Sequence, residues 1–316
     1  MFGKKKEIPV YFFTGFLESG KTSFIKETLK EGQFQDGLKT LLIVCEEGIE
    51  EFTEEELKEN LFTMKVIDEE EDFTYGALMS FDDEIKPDRV VIEYNGTWDP
   101  DNAMELMPEH WVLAEGIATV DASSYDSYLN NMKQMMTRQF TYADLVAFNR
   151  CSDDLDLPYY KRTVRAINRR SQVIFEMKDG TINNDVKEEL PYDINADIIT
   201  IEDDDYGIWY LDTFDNLDSY AGKAVRFKGM VRKPRNGKND FFVPGRMVMT
   251  CCAADIQFVG LPCSYKDVKK LTDKQYVMVT ARVGKVYNRQ YGQDTPVLYA
   301  ESVEPCEPAA EEVVYF

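Results

Sequence analysis

Histidine is almost missing from this 316-residue chain: His110 stands alone, so no metal centre can be assembled from several imidazoles. Cysteine is sparse, six in all, which in a chain of this length points to thiols rather than a disulfide framework. Positive charge is short as well, with 36 Lys and Arg against 58 Asp and Glu and a formal net charge of −22. Binding nucleic acid needs a basic face to neutralise phosphates, so nucleic acid is not an expected partner. The acidic surplus reads as solubility. Nor does any apolar run reach the roughly 20 residues of a membrane span, which argues against direct membrane insertion. Lys4-Lys5-Lys6 ahead of an apolar stretch imitates a signal peptide, but no small-residue cleavage site follows. The expected location is cytoplasmic.

What is present falls into two parts. Strand-like apolar runs recur at Val10–Phe13, Thr40–Val44, Val90–Ile92, Gly116–Val120 and Leu145–Phe148, with helical patterns between several of them. That alternation predicts an α/β domain over residues 1–180, a mostly parallel sheet with helices on both faces. Residues 181–209 turn polar and acidic and read as a linker. Residues 210–316 carry short β-rich segments at Ala224–Val231, Asp240–Val243, Arg246–Thr250, Gln275–Val286 and Val297–Val303, broken by Gly and Pro turns. They predict a small β-rich, OB-like domain.

The densest information lies in Gly15-Phe-Leu-Glu-Ser-Gly20-Lys21-Thr22, which fits G-x-x-x-x-G-K-[ST] between a strand pattern and a helical one. Its glycines let the backbone turn so that N–H groups cradle phosphate oxygens. Lys21 is expected to reach the β/γ-phosphates, and the Thr22 hydroxyl to hold Mg²⁺. The expected nucleotide contacts are Gly15, Glu18, Ser19, Gly20, Lys21, Thr22 and Ser23. A second candidate is Glu93, which ends the apolar run Arg89-Val-Val-Ile beside Gly96. It is placed to hold Mg²⁺ or orient attacking water, with the Gly96 N–H toward the γ-phosphate.

Together these segments resemble the CobW-type GTPases, relatives of the nickel-insertion GTPases of urease and hydrogenase. Ile8-Pro9-Val10, Thr14-Gly15-Phe16-Leu17, Gly20-Lys21-Thr22, Ile92-Glu93, Gly96 and Asp99-Pro100 carry the resemblance, with Val120-Asp121-Ala122, Gln139 and Ala143-Asp144 in the same order. It covers about residues 8–180. It implies GTP and Mg²⁺ as ligands, Lys21, Glu93 and Gly96 as catalytic groups, and Glu46 as a switch or Mg²⁺ contact. The base would be read near Asn149.

Three departures stand out. The guanine-reading Asn-Lys-x-Asp aligns with Asn149-Arg150-Cys151-Ser152, so a serine replaces the carboxylate unless Asp153 takes its place. The family's Cys-x-Cys-Cys metal motif is missing, since no cysteine lies between Cys45 and Cys151. Glu18 and Ser19 replace the usual small pair in the phosphate loop.

In the second part, Arg246-Met-Val-Met-Thr-Cys251-Cys252-Ala-Ala-Asp255 followed by Gly260-Leu261 resembles the C-terminal domain of YcgQ-like bacterial proteins. Those are typically paired with a permease. Cys251, Cys252 and Cys263 are a candidate thiolate site for Zn²⁺. The alternative is one buried and one surface thiol at the pair, with Arg246 and Asp255 as a structural ion pair. The expected function is a slow GTPase in metal homeostasis or metalloprotein assembly, acting on a client metalloprotein. The alternative is a nucleotide-dependent partner of a membrane permease with no metal-carrying role.

Overall fold

The computed structural model describes residues 6–30, 37–46, 48–59, 61–183, 186, 190–234, 240–250 and 256–315. The chain divides into two compact units, Met1–Val186 and Lys187–Phe316. Among the described residues, no helix is long and apolar enough to cross a membrane.

In the first unit the strands are β1 (Ile8–Thr14), β2 (Thr40–Val44), β3 (Phe62–Val66), β4 (Arg89–Glu93), β5 (Trp111–Asp121), β6 (Leu145–Cys151), β7 (Gln172–Met177) and the short β8 (Ile182–Asn183). They form one sheet in the order β3-β2-β4-β1-β5-β6-β7-β8, parallel except for the terminal β7–β8 pair. The helices are α1 (Lys21–Lys30), α2 (Glu54–Glu59), α3 (Tyr75–Ile85), α4 (Pro100–Leu106), α5 (Ala122–Asn131), α6 (Lys133–Arg138) and α7 (Leu157–Ile167). Strand alternation sorts the core onto two faces. Phe13 and Ile117 pack with Ile25 of α1 on one side. Val10, Phe12 and Ile92 pack with Leu78 of α3 on the other.

Two motif pieces prove to be helix starts. Asp99 caps α4 by accepting from Asp101 N at 3.1 Å, with Pro100 at the first helical position. A missing N–H costs nothing there. Asp121 caps α5, accepting from Ser123 N at 2.9 Å. Both helices therefore begin at the carboxyl edge of the sheet, beside the phosphate loop that follows β1.

The second unit contains β9 (Ile198–Thr200), α8 (Tyr206–Asp215), α9 (Leu217–Tyr220), β10 (Ala224–Arg232), β11 (Phe241–Met249), β12 (Gln257–Gly260), β13 (Cys263–Ser264), β14 (Tyr276–Asn288), β15 (Gln293–Pro305) and β16 (Val313–Tyr315). Five of these close a ring: β10 pairs β11, β11 pairs β13, β13 pairs β15, β15 pairs β14, and β14 returns to β10. Trp209, Tyr206, Phe227, Phe242, Val277 and Val279 belong to its core.

Two sequence expectations need correction here. The stretch 181–209 is not a plain linker, because Ile199, Ile201, Tyr206 and Trp209 are buried in the second unit's core. Its acidic residues, Glu202 to Asp205, mask an apolar spacing that supplies both a strand and a helix. The segments 240–243 and 246–250 are likewise one strand, β11, running through Pro244. Pro244 lies opposite Val231 near the end of the β10–β11 ladder, where the loss of one donor is tolerated.

Candidate nucleotide-binding site

The phosphate loop leaves β1 at Thr14 and enters α1 at Lys21. Gly20 has φ +97°, a conformation that glycine adopts without steric cost. Glu18 holds φ +60° without that freedom; its side chain is exposed, so the carboxylate is not buried in the loop. Lys21 is buried and its Nζ donates to Gly15 O at 2.7 Å, to Phe16 O at 3.0 Å and to Glu46 Oε1. Thr22 Oγ1 donates to Glu93 Oε1 at 2.6 Å. These side chains line a cavity of about 250 Å³ that also includes Ser23, Glu50 and Arg150.

Glu93 is the pivot of this geometry. It is buried at the end of β4, and its Oε2 has no hydrogen-bond partner. Burial lifts its carboxyl above the usual range; the Thr22 bond and Lys21 oppose that rise, and Glu46 adds to it. A buried unpaired carboxylate oxygen is costly, which marks it as a group awaiting a cation or a donor. Cys45, fully buried beside this cluster, has its thiol pushed well up by burial and then by Glu93 and Glu46. It is a neutral thiol.

The other expected residues fall around the same loop. Gly96 packs directly on it: a Cβ there would sit 2.2 Å from Gly15 O and 2.6 Å from Phe16 Cα. The Ser19 hydroxyl faces Thr119 Oγ1 at 2.8 Å, and that of Ser23 donates to Glu50 at 2.8 Å. Asn149 Nδ2 donates to Ser19 O at 2.7 Å, leaving its Oδ1 buried and unpartnered. Ser152 bonds the exposed Asp154 and holds that carboxyl below its usual range, while Asp153 is exposed.

Sequence reasoning gave no role to Arg150 or Gln139. Arg150 NH1 bridges Glu18 O at 3.2 Å and Asp121 Oδ2 at 2.6 Å. Gln139 is buried between the loop and Gly96. Position in a motif was the only signal for either. A second cavity, of about 330 Å³, lies on the other flank of the loop, where Phe16 stacks on Tyr128 at 4.4 Å. It lacks Lys21 and Glu93, which line the smaller cavity.

Residues 9–175 match the CobW/HypB/UreG nucleotide-binding domain. The chain belongs to that family. CobW/HypB/UreG proteins are P-loop GTPases linked to metallochaperone-like roles, and residues 176–316 match the DUF1980 C-terminal domain. Similar solved structures include the hydrogenase maturation factor HypB from Archaeoglobus fulgidus, 14% identical, covering 55% of this chain and 82% of that one, with a TM-score of 0.37. Another is Zn(II)-bound YjiA GTPase from E. coli, 17% identical, covering 96% of each chain, with a TM-score of 0.43. No curated protein is significantly similar to the chain.

Of the three candidate zinc thiols, Cys251 and Cys252 lie outside the described residues. Cys263 sits in the core of the second unit, and burial pushes its thiol up to about 12. Without a metal it is a neutral, buried thiol. Among the described residues no group of three His, Cys, Asp or Glu is arranged to hold a metal. Arg246, fully buried, pairs with Asp203 at 3.1 Å and donates to Glu311 O at 2.5 Å. Its expected partner Asp255 is outside the described residues.

Proposed function

We propose that the first unit binds GTP with Mg²⁺ and hydrolyses it slowly, as an energy-using step in metal homeostasis or metalloprotein assembly. The observation that carries the reading is the convergence of Lys21, Thr22 and Glu93 on one cavity, with Glu93 Oε2 buried and unpartnered. Thr22 Oγ1 and the Glu93 carboxylate form the hard oxygen set that suits Mg²⁺, and they are the residues that would hold it. When bound, the cation supplies charge neutralisation at the β- and γ-phosphates. Lys21 and the loop amides would stabilise charge developing on the transferred phosphoryl group. Glu93, at the end of β4 beside the cavity, would also orient the attacking water. Among the described residues, the cations lining the cavity are Lys21 and Arg150. Arg150 is tied to Asp121 and Glu18, so turnover without a partner is slow.

Guanine preference is supported by the family and by Asn149, and is weakened by Ser152, whose hydroxyl is committed to Asp154. Lys21→Ala should abolish triphosphate binding without unfolding the chain, as read by isothermal titration and circular dichroism. Unchanged affinity would sink the site.

A second reading has its own support. The segments 246–255 and 260–261, which resemble permease-paired YcgQ-like proteins, support a nucleotide-dependent partner of a membrane permease with no metal-carrying role. Stoichiometric zinc that is lost on replacing Cys251 and Cys252 selects the first reading. A folded, metal-free protein that co-purifies with a permease selects the second. The five-strand ring supports an OB-like reading of the second unit.

A further inference from the structure

Gln139 follows α6 and is only 2% exposed, yet all of its polar atoms are used. Its Oε1 accepts from Gly15 N at 3.2 Å. Its Nε2 donates to Gly96 O at 3.0 Å and to Met135 O at 3.3 Å. Its main-chain carbonyl accepts from Thr14 Oγ1 at 3.0 Å. One side chain therefore ties the first residue of the phosphate loop to the segment that runs from Glu93, at the end of β4, to Gly96. Gly96 packs so close to Gly15 that a Cβ there would meet Gly15 O at 2.2 Å.

We propose that Gln139 is a positioning residue for hydrolysis: it sets the distance between the phosphate loop, which holds every phosphate, and the Glu93–Gly96 segment, which faces the γ-phosphate. This rests on the nucleotide-binding reading of the same site. A nucleotide diphosphate needs the loop alone, whereas a triphosphate and its attacking water need loop and segment in register. The bonds to Gly15 and to Gly96 thus serve different ligands. The bond to Gly15 N supports the loop in either case; the bond to Gly96 O matters only when a γ-phosphate is present.

Gln139→Glu separates them, because a carboxylate of the same length still accepts from Gly15 N but cannot donate to Gly96 O when ionised. We expect GDP affinity to stay within about twofold, GTP affinity to fall about tenfold, and single-turnover hydrolysis to fall on the order of tenfold to a hundredfold. The wild-type protein, titrated with GDP and GTP alongside Lys21→Ala, is the control. If wild type binds neither nucleotide, the site reading itself fails. If wild type binds both and Gln139→Glu lowers the two affinities equally, or leaves hydrolysis unchanged, Gln139 is merely structural and the proposal is overturned. Should the buried carboxylate prevent folding, Gln139→Met keeps the volume and loses all three side-chain bonds. It should weaken GTP about tenfold more than GDP, and equal weakening overturns the proposal in the same way.

Discussion

Lys21 and Glu46 form an ion pair inside the phosphate cavity, with side chains 2% and 9% exposed. The lysine has three N–H donors and three acceptors: two loop carbonyls and this carboxylate. A phosphate reaches the ammonium only by displacing one of them. The carbonyls belong to the loop that cradles the phosphate, so Glu46 is the group that must leave. Glu46→Gln, a weaker competitor without its charge, should tighten triphosphate binding about tenfold when titrated without Mg²⁺. Weakened binding seen only with Mg²⁺ present would instead make Glu46 a ligand of the cation.

Glu18 stands where the family's opening has glycine, and its φ of +60° is the conformation glycine favours. A side chain there costs roughly 1–2 kcal/mol, offset in part by the extra unfolded-state entropy of glycine. Glu18→Gly should therefore stabilise the first unit by about 0.5–1 kcal/mol, read from the midpoint of its urea unfolding transition. A lowered midpoint would show that the Glu18 side chain makes a compensating contact.

Glu93 gives a pH signature. Its folded-state carboxyl is raised by burial, so across the window between its unfolded value and the raised one the native state binds more protons than the unfolded state. Stability then falls as pH rises through that window. Glu93→Gln, neutral throughout, should lack this loss and be more stable than wild type at pH 7 than at pH 4, in nucleotide-free and Mg²⁺-free buffer. Parallel urea-unfolding curves for the two proteins at both pH values would contradict it.

Arg246 and Asp203 should respond unequally to substitution. The arginine is fully buried, whereas Asp203 is partly exposed and also holds Lys228 at 3.1 Å. Asp203→Ala strands a buried cation and should cost the second unit about 3 kcal/mol or more. Arg246→Met leaves the aspartate with Lys228 and water and should cost less. Urea denaturation of both variants ranks them, and the reverse order would refute this account of the pair.

The sequence-level picture of the first unit holds because its central strands are short apolar runs that no helix could use. All five of the runs fall within strands of the sheet. The Gly15–Thr22 loop was legible as a strand-to-helix turn because its glycines at 15 and 20 take the positive φ such a turn needs. What was not legible depends on partners distant along the chain. Nothing local to Gln139 foretells that it reaches Gly15 and Gly96, and nothing near Glu46 foretells Lys21. The stretch 198–209 misled because four acidic residues in a row outweighed the spacing of Ile199, Ile201, Tyr206 and Trp209. Asp99 and Asp121, read in the sequence only as motif positions, are helix caps, a role open to any Asp ahead of a helix.

The parallel sheet of the first unit has a consequence in time. Val10 of β1 pairs with Val90 of β4 and Leu113 of β5, far along the chain, whereas Val225 of β10 meets Ala281 of β14 over a shorter span. Long-range parallel pairings incur loop-closure entropy before any contact rewards them. The sheet of the first unit should therefore close more slowly than the ring of the second. In refolding with pulsed hydrogen exchange, amides of Val225 and Val279 should be protected before those of Val10 and Val90; the opposite order would exclude this sequence of events.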